Sequence, residues 1–417
     1  MDSEKTIVIN TRTFDYNTAI AVVGALVIPF LSKAPIFSFT TYGNAYRQLG
    51  ILLILFLCCL KQKTIVKNLT RGEILFIWYL LSIECIGAIS GAYFNIYPDI
   101  FMVFRFLLLN LFCYLIARSF ASIESLEKAF NLFYKVNLIA AMTGVAALVA
   151  EYYDCRRMHE ILIETDSDSP YYLTWFGLLG GDVGDAGNGR TNFIFSESNH
   201  FAQFLIPGIA YAMATQRRIG LVILLSGFLT TFSVSASIAV AGMICFILAK
   251  SKRKIVYLIF LGLSCFVVMP LFDKHINKSE DYRERLLDRK VSAESKFGTL
   301  EESIKNLHDK PFGIGIVQTD KKFDSSINTS PGFFSWIFWF GWLGICALAI
   351  IFLFLGLKIM QYRNDILYLS ISACTLTLFL ATLSHGPTPK YYICYFLGML
   401  VRLNQIKLQQ DITTQKI

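Results

Sequence analysis

Between Arg190 and Ala202 the sequence reads Arg-Thr-Asn-Phe-Ile-Phe-Ser-Glu-Ser-Asn-His-Phe-Ala, which gathers a cation, a carboxylate, an amide and an imidazole into one short stretch. Glu197 and His200 stand three apart, so on a helix they share a face and can reach one site. Either group can take a proton from a hydroxyl, and the Arg190 guanidinium can hold two oxygens of an anion side by side. A helix starting just after Arg190 adds its own amide donors to that cation. Asn199 is suited to orienting a hydroxyl. Plainer readings stand beside these: Arg190 as an interfacial anchor at the end of a span, and Glu197 with His200 as a packing pair.

Other chemistry-bearing residues are scattered. His385 is another possible base. Glu84 and Arg105 fall inside apolar runs at similar depth and are expected to pair, although Arg105 can instead face an anionic lipid group. The segment from Asp273 to Gly332 is rich in cations, among them Arg285, Arg289 and Lys296, which suits an anionic ligand. Acidic residues interleave with them at helical spacing, so a solvated helix face is the alternative. Trp336, Trp339 and Trp342, also at helical spacing, suggest interfacial anchoring in preference to ligand stacking.

The elements that must position these groups are transmembrane. The chain of 417 residues is 55% hydrophobic and only 16% charged, below the roughly 25% charge of soluble domains. Its apolar runs reach about 16 to 23 residues, the length a helix needs to cross a bilayer. Unpaired backbone groups are not tolerated in lipid, and no β-barrel alternation appears, so the expected fold class is all-α: a polytopic transmembrane helix bundle of about 12 spans. These are placed near 18–37, 46–60, 72–93, 99–117, 129–150, 193–214, 219–233, 236–249, 255–272, 333–357, 366–383 and 388–402. The seventh and eighth are short and meet in a tight turn around Ser233 to Ser237.

The first run carries no cleavage signal and reads as a retained helix. Clusters such as Lys61, Lys63, Lys67 and Arg71, or Arg217 with Arg218, all fall on one side of this count, which puts both termini in the cytoplasm. Two long outward loops follow, 151–192 and 273–332, within a single integral membrane domain 1–417. Every cysteine except Cys155 lies in an apolar run, which gives neither a disulfide framework nor metal-ligand spacing. No metal and no cofactor is expected. The net charge of +8 is spread between spans and forms no stripe for nucleic acid.

The stretch from Arg190 resembles R-x-x-G-x-F-x-E-P-N-x-x-A of the O-antigen polymerase and ligase family. Arg190, Phe195, Glu197, Asn199 and Ala202 match; Phe193 stands where the family often has Gly, and Ser198 where it often has Pro. Lys310-Pro311-Phe312-Gly313-Ile314-Gly315 is similar to the family's P-l-l-G-v-G. Gly341 and Gly344 fit the ending of its H-N-x-Y-L-x-x-L-x-E-x-G-x-x-G, in which Ser330 and Pro331 take the places of His and Asn. Lys296 occupies a place where the family often has Arg, a role that Arg289 or Arg285 can fill.

The resemblance covers roughly 190–345 and implies a GT-C-like bundle with periplasmic loops in a bacterial inner membrane. It implies as substrates an undecaprenyl-pyrophosphate-linked oligosaccharide and a second lipid-linked repeat unit, with pyrophosphate as leaving group, and as partners membrane lipid, a chain-length regulator and a flippase. The resemblance favours a polymerase over an O-antigen ligase, because Ser330 stands in the place of a His that looks essential to the ligase branch. A lipid-linked oligosaccharide flippase is the rival of a different class; no internal repeat supports it.

Overall fold

The computed structural model describes residues 15–33, 42–97, 103, 107–152, 159–161, 171–174, 177–180, 190–193, 195, 198–231, 233–248, 304–305, 307–316, 332–361, 365–383 and 391–415. The described chain is predominantly helical. It opens with α1 (Tyr16–Val22), a π-helical turn (Val23–Val27) and α2 (Ile28–Lys33), then α3 (Tyr42–Leu60), α4 (Gln62–Asn68), α5 (Arg71–Tyr93), α6 (Leu109–Arg118) and α7 (Ile123–Tyr152). After four short strands come α8 (Ser198–Ala214), α9 (Arg218–Leu229), α10 (Val234–Leu248), α11 (Gly332–Gln361), α12 (Ile366–Leu383) and α13 (Tyr391–Gln415).

Among the described residues three helices are long and apolar enough to cross a membrane: Arg71–Tyr93, Ile123–Ala150 and Trp336–Leu357. A fourth span exists if α3 and α4, bent by 72° at Lys61, count as one. The other described apolar helices are shorter, α6 at 10 residues and α9 at 12, whereas a perpendicular crossing takes about 20. The span expected at 255–272 lies outside the described residues. Exposed apolar side chains line α3 and α5, including Leu49, Leu52, Phe56, Leu75, Trp78 and Ile89, as on helices solvated by lipid.

The all-α expectation needs one correction. The segment read as the first long loop carries a four-stranded antiparallel sheet in the order β1 (His159–Ile161), β2 (Tyr171–Thr174), β3 (Gly177–Gly180), β4 (Arg190–Phe193). A two-residue connection makes β2 and β3 a hairpin, with Tyr171 opposite Gly180 and Thr174 opposite Gly177. Because Arg190 to Phe193 is strand, α8 starts at Ser198 and not at 193.

Most buried apolar residues form one core in which α8 lies among α7, α9, α10 and α12, while α13 packs along α6. Aromatic rings fill its centre: Phe130 meets Tyr211 and Phe396 edge-on at 5.2 and 5.9 Å between ring centres. A smaller core joins α5 to α11 through Ile83, Ile314, Ile316, Phe338, Trp339 and Phe340. Trp339 is thus an interior residue, while Trp342 is exposed, so only the latter fits an anchoring role.

Where α5 begins, Thr70 and Glu73 form a reciprocal capping box, the arrangement that satisfies two orphan helix amides at once. Glu73 also receives the fully buried Arg118 from the end of α6, with Nε and Nη2 at 2.6 and 2.9 Å from its two oxygens. Arg118 further donates to the Asn68 carbonyl and to Gln405 of α13, at 2.6 and 3.1 Å. Arg402 completes the knot, bonding Gln405 and the Phe120 carbonyl.

Candidate functional site

Arg190 opens β4 and pairs with Gly180 of β3. The next residue, Thr191, is buried and tied to the end of α9: its amide donates to the Thr230 carbonyl at 3.2 Å, and the two side-chain hydroxyls meet at 2.5 Å. Thr230 sends its own hydroxyl proton to the Gly227 carbonyl, 2.7 Å away. Thr191 is therefore the donor of the pair. Two contacts on one residue fix the backbone that carries Arg190 against the bundle.

Two residues on, Phe193 adopts φ +54°. A bulky side chain rarely enters this left-handed region, and holding it there costs on the order of 1–3 kcal/mol. The ring is retained by Phe201 of α8, 5.5 Å away between ring centres. Phe195 follows, 2% exposed, with Phe201 and Phe204 against it. These aromatic contacts lead the chain off the sheet and into the first turn of α8.

Asn199 lies in that first turn, 6% exposed. Its Oδ1 accepts the Ser233 hydroxyl at 2.7 Å. Its amide nitrogen is buried with no hydrogen-bond partner among the described residues. Ser233 belongs to the connection between α9 and α10, where Thr230 and Thr231 return their hydroxyls to Gly227 and Phe228. The tight turn between these two short helices thus lies at Thr230–Ser233, slightly earlier than Ser233 to Ser237; Ser237 is already helical and donates to the Ser233 carbonyl. Gln203, one turn along α8, is buried and reaches the Ala381 carbonyl at the end of α12 at 3.5 Å.

The result is a set of neutral hydroxyl and amide groups, Thr191, Asn199, Gln203, Thr230 and Ser233, gathered where β4, α8, the α9–α10 turn and α12 converge. Neutral donors and acceptors in a water-poor setting suit recognition of hydroxyl-bearing ligands, because an unpaired amide there costs about 1–3 kcal/mol until something accepts from it. His200 is half-buried beside Asn199. Of the residues singled out from sequence, the structure brings together the Arg190 backbone, Asn199 and His200; Glu197, Arg105, Arg285, Arg289, Lys296, Ser330 and His385 lie outside the described residues. Thr191, Thr230 and Ser233 were not singled out as site residues, since isolated hydroxyls in apolar runs read as helix-packing groups.

A second feature involves the Pro-Gly segment. Residues 311–316 enter between α5 and α11. Ile314 and Gly315 both donate to the Trp339 carbonyl, at 3.1 and 2.9 Å, and Trp342 donates to the Pro311 carbonyl at 3.0 Å. The last bond is possible because α11 breaks at Gly341, with φ +56° and ψ −140°. Gly313 and Gly315 also hold positive φ. Beneath this segment Glu84 of α5, 6% exposed, accepts the Ile316 amide at 3.3 Å. Its expected partner, Arg105, is outside the described residues.

Compared with protein-family models, curated proteins and solved structures, the chain matches none.

Proposed function

We propose that the protein is a polysaccharide polymerase of a bacterial inner membrane, joining undecaprenyl-pyrophosphate-linked repeat units on the periplasmic face with release of undecaprenyl pyrophosphate. The observation that carries the reading is Phe193: it occupies the place where the resembled motif has Gly, and its backbone is left-handed, the conformation that favours Gly. Gly313, Gly315 and Gly341, each at a motif position, hold positive φ as well. Backbone demands of this kind support the residue-by-residue match, since chance glycines carry no such requirement.

In this reading about twelve spans cross the bilayer, both termini are cytoplasmic, and the sheet and the cationic segment 273–332 are periplasmic. Arg190, with Arg285, Arg289 or Lys296, neutralises the departing diphosphate. Asn199 and the Thr230–Ser233 turn bind sugar hydroxyls. Glu197, His200 or His385 takes the proton from the acceptor hydroxyl. Cationic side chains can stabilise the leaving group without a metal.

The break in α11 at Gly341 favours a second reading, a flippase for the lipid-linked oligosaccharide, because interrupted helices mark transporter sites. Deleting the gene and resolving the surface glycan by size separates the possibilities. Loss of long chains with single repeats still exported supports the polymerase. Polymer that accumulates without its lipid A core acceptor points to a ligase, and repeats trapped in the cytoplasm point to a flippase.

A further inference from the structure

The 310–316 segment touches α5 and α11 backbone to backbone. A Cβ on Gly87 would stand 2.8 Å from the Gly315 amide nitrogen and from the Trp339 carbonyl oxygen, and one on Gly91 would stand 2.3 Å from the Ile314 carbonyl oxygen. On the other side a Cβ on Gly313 would fall 2.2 Å from the Trp339 carbonyl oxygen. The segment therefore sits in a groove that only glycines on both partners leave open. Ile314 and Ile316 are fully buried there, whereas Phe312 at the outer lip is exposed. Lys310, where the segment enters, lies over the Phe94 ring just beyond the end of α5, at 5.2 Å.

The three backbone hydrogen bonds already described hold residues 311–315 to α11, but on the α5 side the glycine contacts are apolar and supply no anchor. One polar contact reaches its inner end. Glu84 accepts the Ile316 amide in surroundings otherwise lined by Ile83, Ile314 and Trp339, and no other acceptor for that amide is found among the described residues. A buried amide left without a partner costs about 1–3 kcal/mol, so the inner end of the segment leaves α5 only by stranding that amide.

We propose that Glu84 is a positioning residue that seats the 310–316 segment against α5, and thereby holds Lys310 of the cationic chain over Phe94, just beyond the end of α5. This rests on the polymerase reading, in which that chain faces a diphosphate. Glu84 itself touches no substrate. Its second oxygen, buried with no hydrogen-bond partner among the described residues, is not needed for seating, so an amide oxygen serves as well.

The test uses the full-length protein in its own membrane, with Ile314→Cys as reporter and the parent without that cysteine as background. Seated, the reporter is buried and reacts slowly with a membrane-impermeant thiol reagent added from outside. Glu84→Ala should speed its labelling about tenfold, the consequence of leaving one buried amide unpaired, and should shorten the surface polymer at unchanged protein abundance. Glu84→Gln, which keeps an acceptor for Ile316, should restore both slow labelling and polymer length. Unchanged labelling in Glu84→Ala, or failure of Glu84→Gln to restore slow labelling, overturns the seating role. Faster labelling with full-length polymer leaves the seating intact and removes its link to the polymerase reading.

Discussion

Arg118 grips both carboxylate oxygens of Glu73 while its own side chain has no exposed surface. The same guanidinium reaches the Asn68 carbonyl and Gln405, so one residue joins the start of α5, the end of α6 and the C-terminal helix α13. Tyr114 donates to Glu73 as well.

Removing the cation should leave the largely buried Glu73 carboxylate without its counter-ion. Arg118→Met should destabilise the protein by about 3–5 kcal/mol, the usual result of breaking a buried ion pair from one side. Adding Glu73→Gln removes the stranded charge and keeps a residue able to close the capping box with Thr70. The double variant should therefore be more stable than Arg118→Met alone. Denaturation in detergent measures the order; equal stability of the two variants would show that charge compensation is not what Arg118 supplies.

Phe193 yields a reversal of the ordinary substitution order. Truncating the ring loses its packing on Phe201 in either variant, but alanine keeps the strained left-handed backbone and glycine relieves it. Phe193→Gly should be more stable than Phe193→Ala by about 1 kcal/mol. Thermal unfolding of the two purified variants checks this. If alanine were the more stable, the left-handed turn and the motif argument built on it would both fail.

Two glycines on α11 should respond oppositely. A Cβ on Gly341 would lie 2.0 Å from the Pro311 carbonyl oxygen, whereas one on Gly356 meets nothing within 4 Å. Gly356→Ala should be neutral or stabilising by up to about 1 kcal/mol, as for an open helical site. Gly341→Ala should destabilise by more than about 1–3 kcal/mol, because strain at its backbone angles adds to the clash. Matching melting temperatures for the two would mean that α11 runs unbroken.

How much was legible follows from where each signal resides. The expected span 72–93 became α5 at Arg71–Tyr93 because a long apolar run with Thr70 and Glu73 before it writes both the helix and its cap. The sheet was missed because its strands are four residues or fewer, too short for alternation to show. Arg118 ends an apolar run, the usual place for an interfacial anchor, and nothing local distinguishes that from a buried partner of Glu73. Glu84 was recognised as a buried charge, but its contact with Ile316 crosses 232 residues of sequence, which no local pattern encodes. At the candidate site Asn199 was found through its motif, while Thr191 and Thr230 carry no sign of each other.

The pairing of Thr191 with Thr230 bears directly on Arg190, which adjoins it on β4. In the proposed polymerase reaction a departing diphosphate concentrates charge where a guanidinium can hold two oxygens at once, and lysine offers only a point charge. Losing one charged donor at a water-poor site removes about 3 kcal/mol of transition-state stabilisation, roughly a hundredfold in rate. Arg190→Lys and Arg190→Ala should both leave single-repeat glycan at normal protein abundance, whereas Arg289→Ala and Lys296→Ala should each do less because neighbouring cations share their work. Thr230→Val should fall between: it keeps the Thr230 carbonyl for the Thr191 amide but strands the Thr191 hydroxyl, so Thr191 is tied to the end of α9 by one bond in place of two. Its polymer should be shortened without being abolished. Full-length polymer in Arg190→Ala cells would reduce Arg190 to an interfacial anchor and leave Asn199 and the Thr230–Ser233 turn as the groups to test next.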